Sequence, residues 1–223
     1  TELSTIVENA KSIILRLDAE GNVTFFNDFA QQFFGFTKEE ILGHNVVGTI
    51  VPETESTGRD LSAKMRDLVE HPEEYVNSEN ENICKNGEKV WIVWSNKPFF
   101  NKNGRLREIL CVGNDITKRK RAEENLEYRL GFEERICAAS NRFINSTPKE
   151  FDQRIHDTLG SIGAFVGAAR AYFFQFNDEQ RLMSNTHEWC APGVDSQQSE
   201  LQDLDTGEFS WFIPKILDQE TVT

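Results

Sequence analysis

Apolar and polar positions alternate in short blocks over the first half of the chain and recur at helical spacing over much of the second. Ser12 to Leu17 is a short run rich in Ile and Leu, and Val23-Thr24-Phe25-Phe26 is another. The polar cluster Asp18-Ala19-Glu20-Gly21-Asn22 lies between them, which predicts a β-hairpin. Asn27-Asp28 then caps a helix carrying Phe29, Phe33 and Phe34, and Gly35 stops it. Thr37-Lys38-Glu39-Glu40 has capping-box spacing ahead of Ile41, Leu42 and Gly43. A longer helix is predicted from about Ser56 to Val69, with Leu61, Met65, Leu68 and Val69 on one side and His71-Pro72 as its end. Three strands follow, at 77–85, 89–100 and 106–116. Asn86-Gly87 and Asn101-Lys102-Asn103-Gly104 separate them, so they form an antiparallel meander.

From Thr117 to Asn141 the chain has no proline and is rich in Glu, Arg, Lys, Ala and Leu, which predicts a helix. Its apolar positions fall in two phases. Ala122, Leu126 and Leu130 make one stripe; Phe132, Ile136, Ala139 and Phe143 make another, rotated from the first, with Gly131 at the change. A helix that changes partners at Gly131 would need such a shift. Thr147, Pro148 and Glu150 then read as the cap, first and third positions of a new helix carrying Phe151, Ile155, Leu159, Ile162 and Val166. A hairpin is expected from Ala171–Phe176 and Leu182–Trp189, then a short amphipathic helix from Phe209 to Leu217 and an apolar start at Val222. Two or three strands do not close a sheet, so this last block reads as cut short.

Composition narrows the function classes. Of 223 residues, 38% are hydrophobic, enough for a packed core, and the net charge is −13. Residues 1–117 carry 12 basic and 19 acidic groups (net −7), 118–142 carry 7 and 5 (net +2), and 143–223 carry 5 and 13 (net −8). Two acidic blocks flanking a short basic one suggest two domains and a connector. The acidity argues against a nucleic-acid partner, and Lys118-Arg119-Lys120-Arg121 reads as a solvated helix start. No apolar run approaches the ~20 residues of a membrane span. Cys84, Cys111, Cys137 and Cys190 form no CxxC pair, which suits a reducing cytoplasm and gives no zinc motif.

Several local patterns carry a resemblance. Asp18-Ala19-Glu20-Gly21 with Asn27, the stretch Gly35 to Gly43, Lys85-Asn86-Gly87 before a Trp-bearing strand, and Gly113-Asn114-Asp115-Ile116-Thr117 running into a basic helix follow one another in order. Residues 1–117 thus resemble a PAS domain, a small sensory module common in bacterial signalling proteins. Phe132-Glu133-Glu134-Arg135-Ile136, Phe143-Ile144, Phe151-Asp152, Ala169 to Phe173, and Phe209 to Phe212 resemble the first part of a GAF domain. The resemblance implies an α+β chain. A PAS fold (1–117), with helices on one face of an antiparallel five-stranded sheet, precedes a helical linker (118–142) and a truncated GAF-like α/β block (143–223). Such tandems precede histidine-kinase or diguanylate-cyclase output domains, as in two-component systems. No phosphoacceptor-histidine segment or GGDEF stretch occurs, so an output domain would lie C-terminal to this fragment. The expectation is a cytoplasmic sensor that is not itself an enzyme, homodimeric through the PAS part and the linker helix. It has no nucleic-acid partner and no membrane span.

Candidate chemistry follows from strand alternation. Val90, Ile92, Trp94 and Asn96 share one face, Ile109, Cys111 and Gly113 another, and Asn82 and Cys84 a third. By resemblance to pocket-bearing relatives these faces point inward. Asn82, Cys84, Ile92, Trp94, Asn96, Ile109 and Cys111 are then the expected ligand-binding set, with a filled core as the other reading of the same residues. Val46-Val47-Gly48-Thr49-Ile50 lacks the reactive Cys of the family's flavin photoreceptors, so no covalent cofactor is expected. His44 and His71 read as loop and helix-end residues, so haem is not expected; a small organic ligand or a non-covalent flavin stays open. His187 and Cys190 would point to opposite strand faces and cannot chelate one metal. Asp115, Ile116 and Thr117, where the last strand meets the linker helix, are the expected signal relay.

Overall fold

The computed structural model describes residues 10–144, 147, 149–211 and 213–218. Strands β1 (Ile13–Asp18) and β2 (Val23–Phe26) pair antiparallel. In the turn between them, the Asp18 carboxylate accepts from the backbone N–H groups of Glu20 (3.0 Å) and Asn22 (2.8 Å). One fully buried amide then joins strand to helix. Asn27 Oδ1 accepts from Ala30 N (3.0 Å), capping α1 (Asp28–Phe34), and from Ile14 N (3.1 Å), while its Nδ2 donates to the Ser12 carbonyl (3.0 Å). Gly35 ends α1 at φ +79°, a conformation that an L side chain resists. Helix α2 (Lys38–Ile41) starts where the Glu40 carboxylate accepts from Thr37 N (3.0 Å).

Helix α3 (Leu61–Glu70) starts later than the expected Ser56, because Asp60 is its cap, accepting from Ala63 N at 2.8 Å. A 3₁₀ turn, Pro72–Tyr75, follows His71. Strands β3 (Asn77–Ile83), β4 (Lys89–Phe100) and β5 (Leu106–Asp115) form the expected meander. The five strands make one antiparallel sheet in the order β2-β1-β5-β4-β3, and the fold class is α+β as expected.

Alternation sorts the sheet into faces. Ile13, Leu15 and Leu17, then Val90, Ile92, Trp94 and Asn96, then Ile109 and Cys111 are all buried. Phe26, Phe34, Ile41, Ile50, Leu61 and Leu68 fill the space above them, with Phe26 and Phe34 stacked at 6.1 Å. A Cβ on Gly113 would lie 2.7 Å from the Trp94 ring, so only glycine lets that indole cross β5.

Strand β3 is at the sheet edge, and the segment before α3 covers it. The Glu79 carbonyl accepts from Arg59 (2.9 Å) and Lys64 Nζ (3.0 Å). Glu81 N donates to Glu55 Oε1 (3.0 Å), and Ile83 N donates to the Ile50 carbonyl (2.9 Å). Side chains and a loop carbonyl thus take hydrogen bonds that a neighbouring strand would otherwise make.

The chain divides into two compact units after Glu124. Helix α4 (Thr117–Ile144) contributes to both. Residues 121–130 are exposed throughout, so the stripe at Ala122, Leu126 and Leu130 has no cover among the described residues. The second phase of the helix packs on α5 (Phe151–Val166). The Phe165 ring stacks on Tyr128 (5.0 Å) and Phe132 (6.3 Å), and the Arg135 guanidinium lies 4.1 Å from its centroid. Gly131 sits against Phe165, where a Cβ would come within 3.2 Å of the ring. Helix α4 thus meets this partner from Tyr128 on, within one turn of the change of phase at Gly131.

Helix α5 starts at Phe151, later than expected: Glu150, not Thr147, stands at its cap position, and its carboxylate, turned back, accepts from the Thr147 N–H and hydroxyl; Pro148 and Val222 lie outside the described residues. Strands β6 (Arg170–Phe176), β7 (Leu182–Cys190) and the short β8 (Leu204–Asp205) form an antiparallel sheet in that order. Trp189 lies on Gly160 and Gly163 of α5; a Cβ on Gly163 would come within 2.6 Å of its ring. The expected helix at 209–217 is instead a 3₁₀ turn, Thr206–Phe209, and a short α6 (Ile213–Leu217), with Phe212 outside the described residues. Phe173 and Trp211 are 45% and 69% exposed.

Replacing Phe34 removes a fully buried ring that stacks on Phe26. Phe34→Ala is expected to destabilise the first unit by about 3–5 kcal/mol, read from the urea unfolding of the full chain. A loss below about 1 kcal/mol would contradict this packing.

Candidate functional site

A cavity of about 30 Å³ lies between the sheet and α3, room for roughly two water molecules. Leu15, Leu17, Val46, Val51, Met65 and Leu68 make its apolar wall. Ser78 and Asn80 of β3, Trp94 and Asn96 of β4, and Cys111 of β5 make the rest. The amides are already engaged. Asn96 Nδ2 donates to the Tyr75 carbonyl (2.8 Å). Asn80 Nδ2 donates to Asn82 Oδ1 (3.0 Å), and Asn80 Oδ1 accepts from Lys64 Nζ (3.2 Å). The Ser78 hydroxyl oxygen is buried and has no hydrogen-bond partner among the described residues.

Among the residues expected from sequence, Trp94, Asn96 and Cys111 line this cavity. Asn82 stands behind them, accepting from Trp94 Nε1 (3.2 Å) and donating to the Ile50 carbonyl (2.9 Å). Ile92 and Ile109 are fully buried in the packed core, and Cys84 turns toward α1, its Sγ 3.6 Å from the Phe33 carbonyl oxygen. Ser78, Asn80 and Lys64 were not picked out. The first two continue the alternation that brings in Asn82, two and four residues earlier on β3, so the signal was present.

Electrostatics limits the chemistry. Burial pushes the Cys111 thiol up to about 12 and raises Cys84, so neither offers a thiolate near neutrality. Neither His44 nor His71 lines the cavity. No cluster of three His, Cys, Asp or Glu that could hold a metal occurs among the described residues. Lys64 is the notable cation. Burial, helped by the positive charge of Arg59 and opposed by Glu55 and Glu79, brings its ammonium down to about 8.

The relay residues are held as a unit at the start of α4. Thr117, 7% exposed, accepts from Trp91 N through its hydroxyl (2.9 Å), and Ile116 N donates to the Trp91 carbonyl (2.9 Å). Thr117 also donates its backbone N–H (2.8 Å) and its hydroxyl to Asp115 Oδ1. One turn on, Arg119 and Lys120 reach the Glu79 carboxylate at 2.8 and 2.9 Å, and the Lys120 ammonium lies 5.1 Å from the Trp91 ring centroid. These two cations hold the Glu79 carboxyl below the usual range. The first turn of α4 is therefore fastened to β4 and β3, the strands that carry most of the polar cavity wall.

A further polar group closes the α3 end of the site. Tyr75 donates its hydroxyl to Asp67, and His71 Nδ1 lies 2.9 Å from the same carboxylate. The hydrogen bond to Asp67, aided by Glu74 and Glu70, raises the His71 pKa.

A profile of the PAS fold family matches residues 1–116. The chain belongs to the PAS family. The Pseudomonas aeruginosa two-component sensor PprA is 26% identical over 123 residues, which is 54% of this chain and 13% of that protein. The Bacillus subtilis sporulation kinase C is 22% identical over 178 residues, 74% of this chain and 37% of that protein. The Methanothrix harundinacea methanogenesis regulatory histidine kinase FilI is 27% identical over 195 residues, 86% of this chain and 21% of that protein. The chain thus spans well under half the length of these relatives. Its PAS domain is similar to those of sensor kinases, consistent with a module of signal transduction. No helix among the described residues is long and apolar enough to cross a membrane.

Two predictions follow from the tether and from His71. Thr117→Val leaves the Trp91 N–H without its acceptor and is expected to cost about 1–2 kcal/mol. The check is faster hydrogen exchange at the Trp91 and Lys120 amides; unchanged exchange there would remove Thr117 from the tether. A raised His71 pKa stabilises the fold fully below its unfolded value of 6.5, and this is lost as pH rises through the folded value. Between pH 5.5 and 8 the wild type should lose stability relative to His71→Gln, by denaturant titration. A difference that stays constant with pH would contradict the pairing with Asp67.

Proposed function

We propose that this chain is the sensory and regulatory part of a signal-transduction protein, in which the PAS cavity takes up a small ligand and α4 carries the result to a C-terminal output domain. One observation supports this above the rest: Ser78, Asn80, Trp94 and Asn96 of the cavity wall lie on the same strands, β3 and β4, that fasten Thr117, Arg119 and Lys120. A molecule that shifts those strands changes the restraint on α4, which is the differential contact that coupling between two sites requires. In this reading Asp115, Ile116 and Thr117 are the relay, and Asn82 acts on the pocket indirectly by positioning Trp94. The chain itself catalyses nothing, and the output is a histidine kinase, by likeness to the sensor kinases it resembles. The unit after Glu124, a helix on an antiparallel sheet, is the first part of a GAF-like domain. Four cysteines free of disulfides fit a cytoplasmic setting.

A second reading has its own support. The cavity holds only about 30 Å³, and Leu126 and Leu130 of α4 are 57% and 56% exposed. A filled PAS core serving homodimerisation would need no ligand and would use that stripe.

Native mass spectrometry of the freshly purified chain, with sedimentation of wild type and Leu126→Glu/Leu130→Glu, separates the two. A stoichiometric small molecule lost on denaturation supports sensing. A ligand-free chain whose dimer weakens at least tenfold in the double variant supports the dimerisation module instead.

A further inference from the structure

Lys64 combines two properties that do not usually coexist. Its ammonium is largely withdrawn from water, yet it forms no ion pair among the described residues. Its hydrogen bonds go to neutral acceptors, the Glu79 carbonyl (3.0 Å) and Asn80 Oδ1 (3.2 Å). The two carboxylates that act on it are engaged by other cations: Glu55 by Arg59 at 2.6 Å, and Glu79 by Arg119 and Lys120. A desolvated cation without a counterion is costly, and an anion brought beside it relieves that cost. Immediately in front of Asn80 is the cavity, and on its wall is the Ser78 hydroxyl, buried and unpartnered. That hydroxyl is a donor waiting for an acceptor.

The opposite side of the cavity is apolar, and it has a thin wall. Leu17, Val46 and Met65 line the cavity on one side and an open cleft of about 550 Å³ on the other. Methionine is the most adaptable of the three, with three rotatable side-chain bonds. Turning the Met65 side chain away would join cleft and cavity. The cleft also carries Glu20, Arg66 and Glu70, a mixed set that does not favour an anion at the mouth. The preference for negative charge arises inside, at Lys64.

We propose that a small amphipathic carboxylate enters from the cleft past Met65, sets its carboxylate in the cavity against the Ser78 hydroxyl, with Lys64 behind Asn80 as its counterion, and leaves its apolar tail in the cleft along Leu17 and Val46. This rests on the ligand-sensing reading above and adds to it the class of ligand and the route. Binding then draws on the proton of Lys64. The group titrates near 8 in the empty protein, with Arg59, Glu55 and Glu79 as the charges that face it. A bound carboxylate favours the charged form, so affinity is high below that value and falls as pH rises through it.

The probe is hexanoate, titrated into the full chain at pH 7.5 and 9.5 and followed by the Trp94 indole N–H resonance. Hexan-1-ol, of equal chain length and no charge, is the comparison. Saturable hexanoate binding that weakens about tenfold at the higher pH, with hexan-1-ol weaker and insensitive to pH, supports the proposal. Lys64→Met should lose the affinity at pH 7.5. Lys64→Arg, which keeps its charge at both pH values, should retain binding and lose the pH dependence, and it serves if Lys64→Met does not fold. Equal binding of hexan-1-ol and hexanoate, or a Lys64→Arg variant whose hexanoate binding still weakens about tenfold from pH 7.5 to 9.5, overturns the carboxylate assignment and leaves a ligand cavity standing. If neither compound moves the Trp94 signal, the ligand-sensing reading falls with it.

Discussion

The unpaired edge of β3 is the constraint on which the rest of the site depends. An edge strand left open presents backbone donors and acceptors that must find partners or invite another strand. Here the segment from Ile50 to Lys64 supplies them: Glu55 to the Glu81 N–H, Arg59 and Lys64 to the Glu79 carbonyl, and the Ile50 carbonyl to Ile83. Burying Glu55 opposes its charge, yet hydrogen bonds from Thr57, Arg59 and the Glu81 N–H outweigh that and keep its carboxyl below the usual range. Glu81, 3% exposed, is held in turn by Ser56 and Lys89. Covering the edge with charged side chains in place of a strand is what brings Lys64 up to the cavity and leaves Glu79 free to hold α4.

Magnitudes indicate which of these contacts govern the linker. The ion pairs of Arg119 and Lys120 with Glu79 are partly exposed, and such pairs are worth ~0–1 kcal/mol each. The bond from the Trp91 N–H to Thr117 is better shielded and stands nearer ~1 kcal/mol. The buried sheet contacts beneath them are collectively far stronger. The start of α4 is thus held to a well-packed sheet by a few weak links, so releasing it costs little free energy beside unpacking the sheet.

Much of the fold was legible because its rules are local. The strands follow from period-two alternation and Asn-Gly turns, and the cap of α1 from one asparagine ahead of three phenylalanines. The change of phase at Gly131 falls within one turn of Tyr128, where α4 first meets Phe165. Helix α3 starts at Leu61 rather than near Ser56, whose hydroxyl and N–H are spent on Glu81, a contact 25 residues distant that no local pattern reveals. The site was less legible for the same reason. Alternation identifies an inward face but not which of its members border empty space, and Lys64 is notable only because, in three dimensions, it has no ion pair among the described residues. Ile92 and Ile109 share the inward face with Trp94 and Cys111, yet close packing rather than the cavity surrounds them.

The hollow beside Trp94 also has a mechanical meaning. Atoms facing a void forgo dispersion contacts on one side, and the space they enclose is volume that the molecule gives up when water fills it or the core opens. Compression therefore acts unevenly on this chain. The well-filled layer of Phe26, Phe34 and Ile92 resists it, while the region between Met65 and Ser78 yields first. The same small void beside the Ser78 hydroxyl makes this part of the PAS domain more compressible than its filled layer.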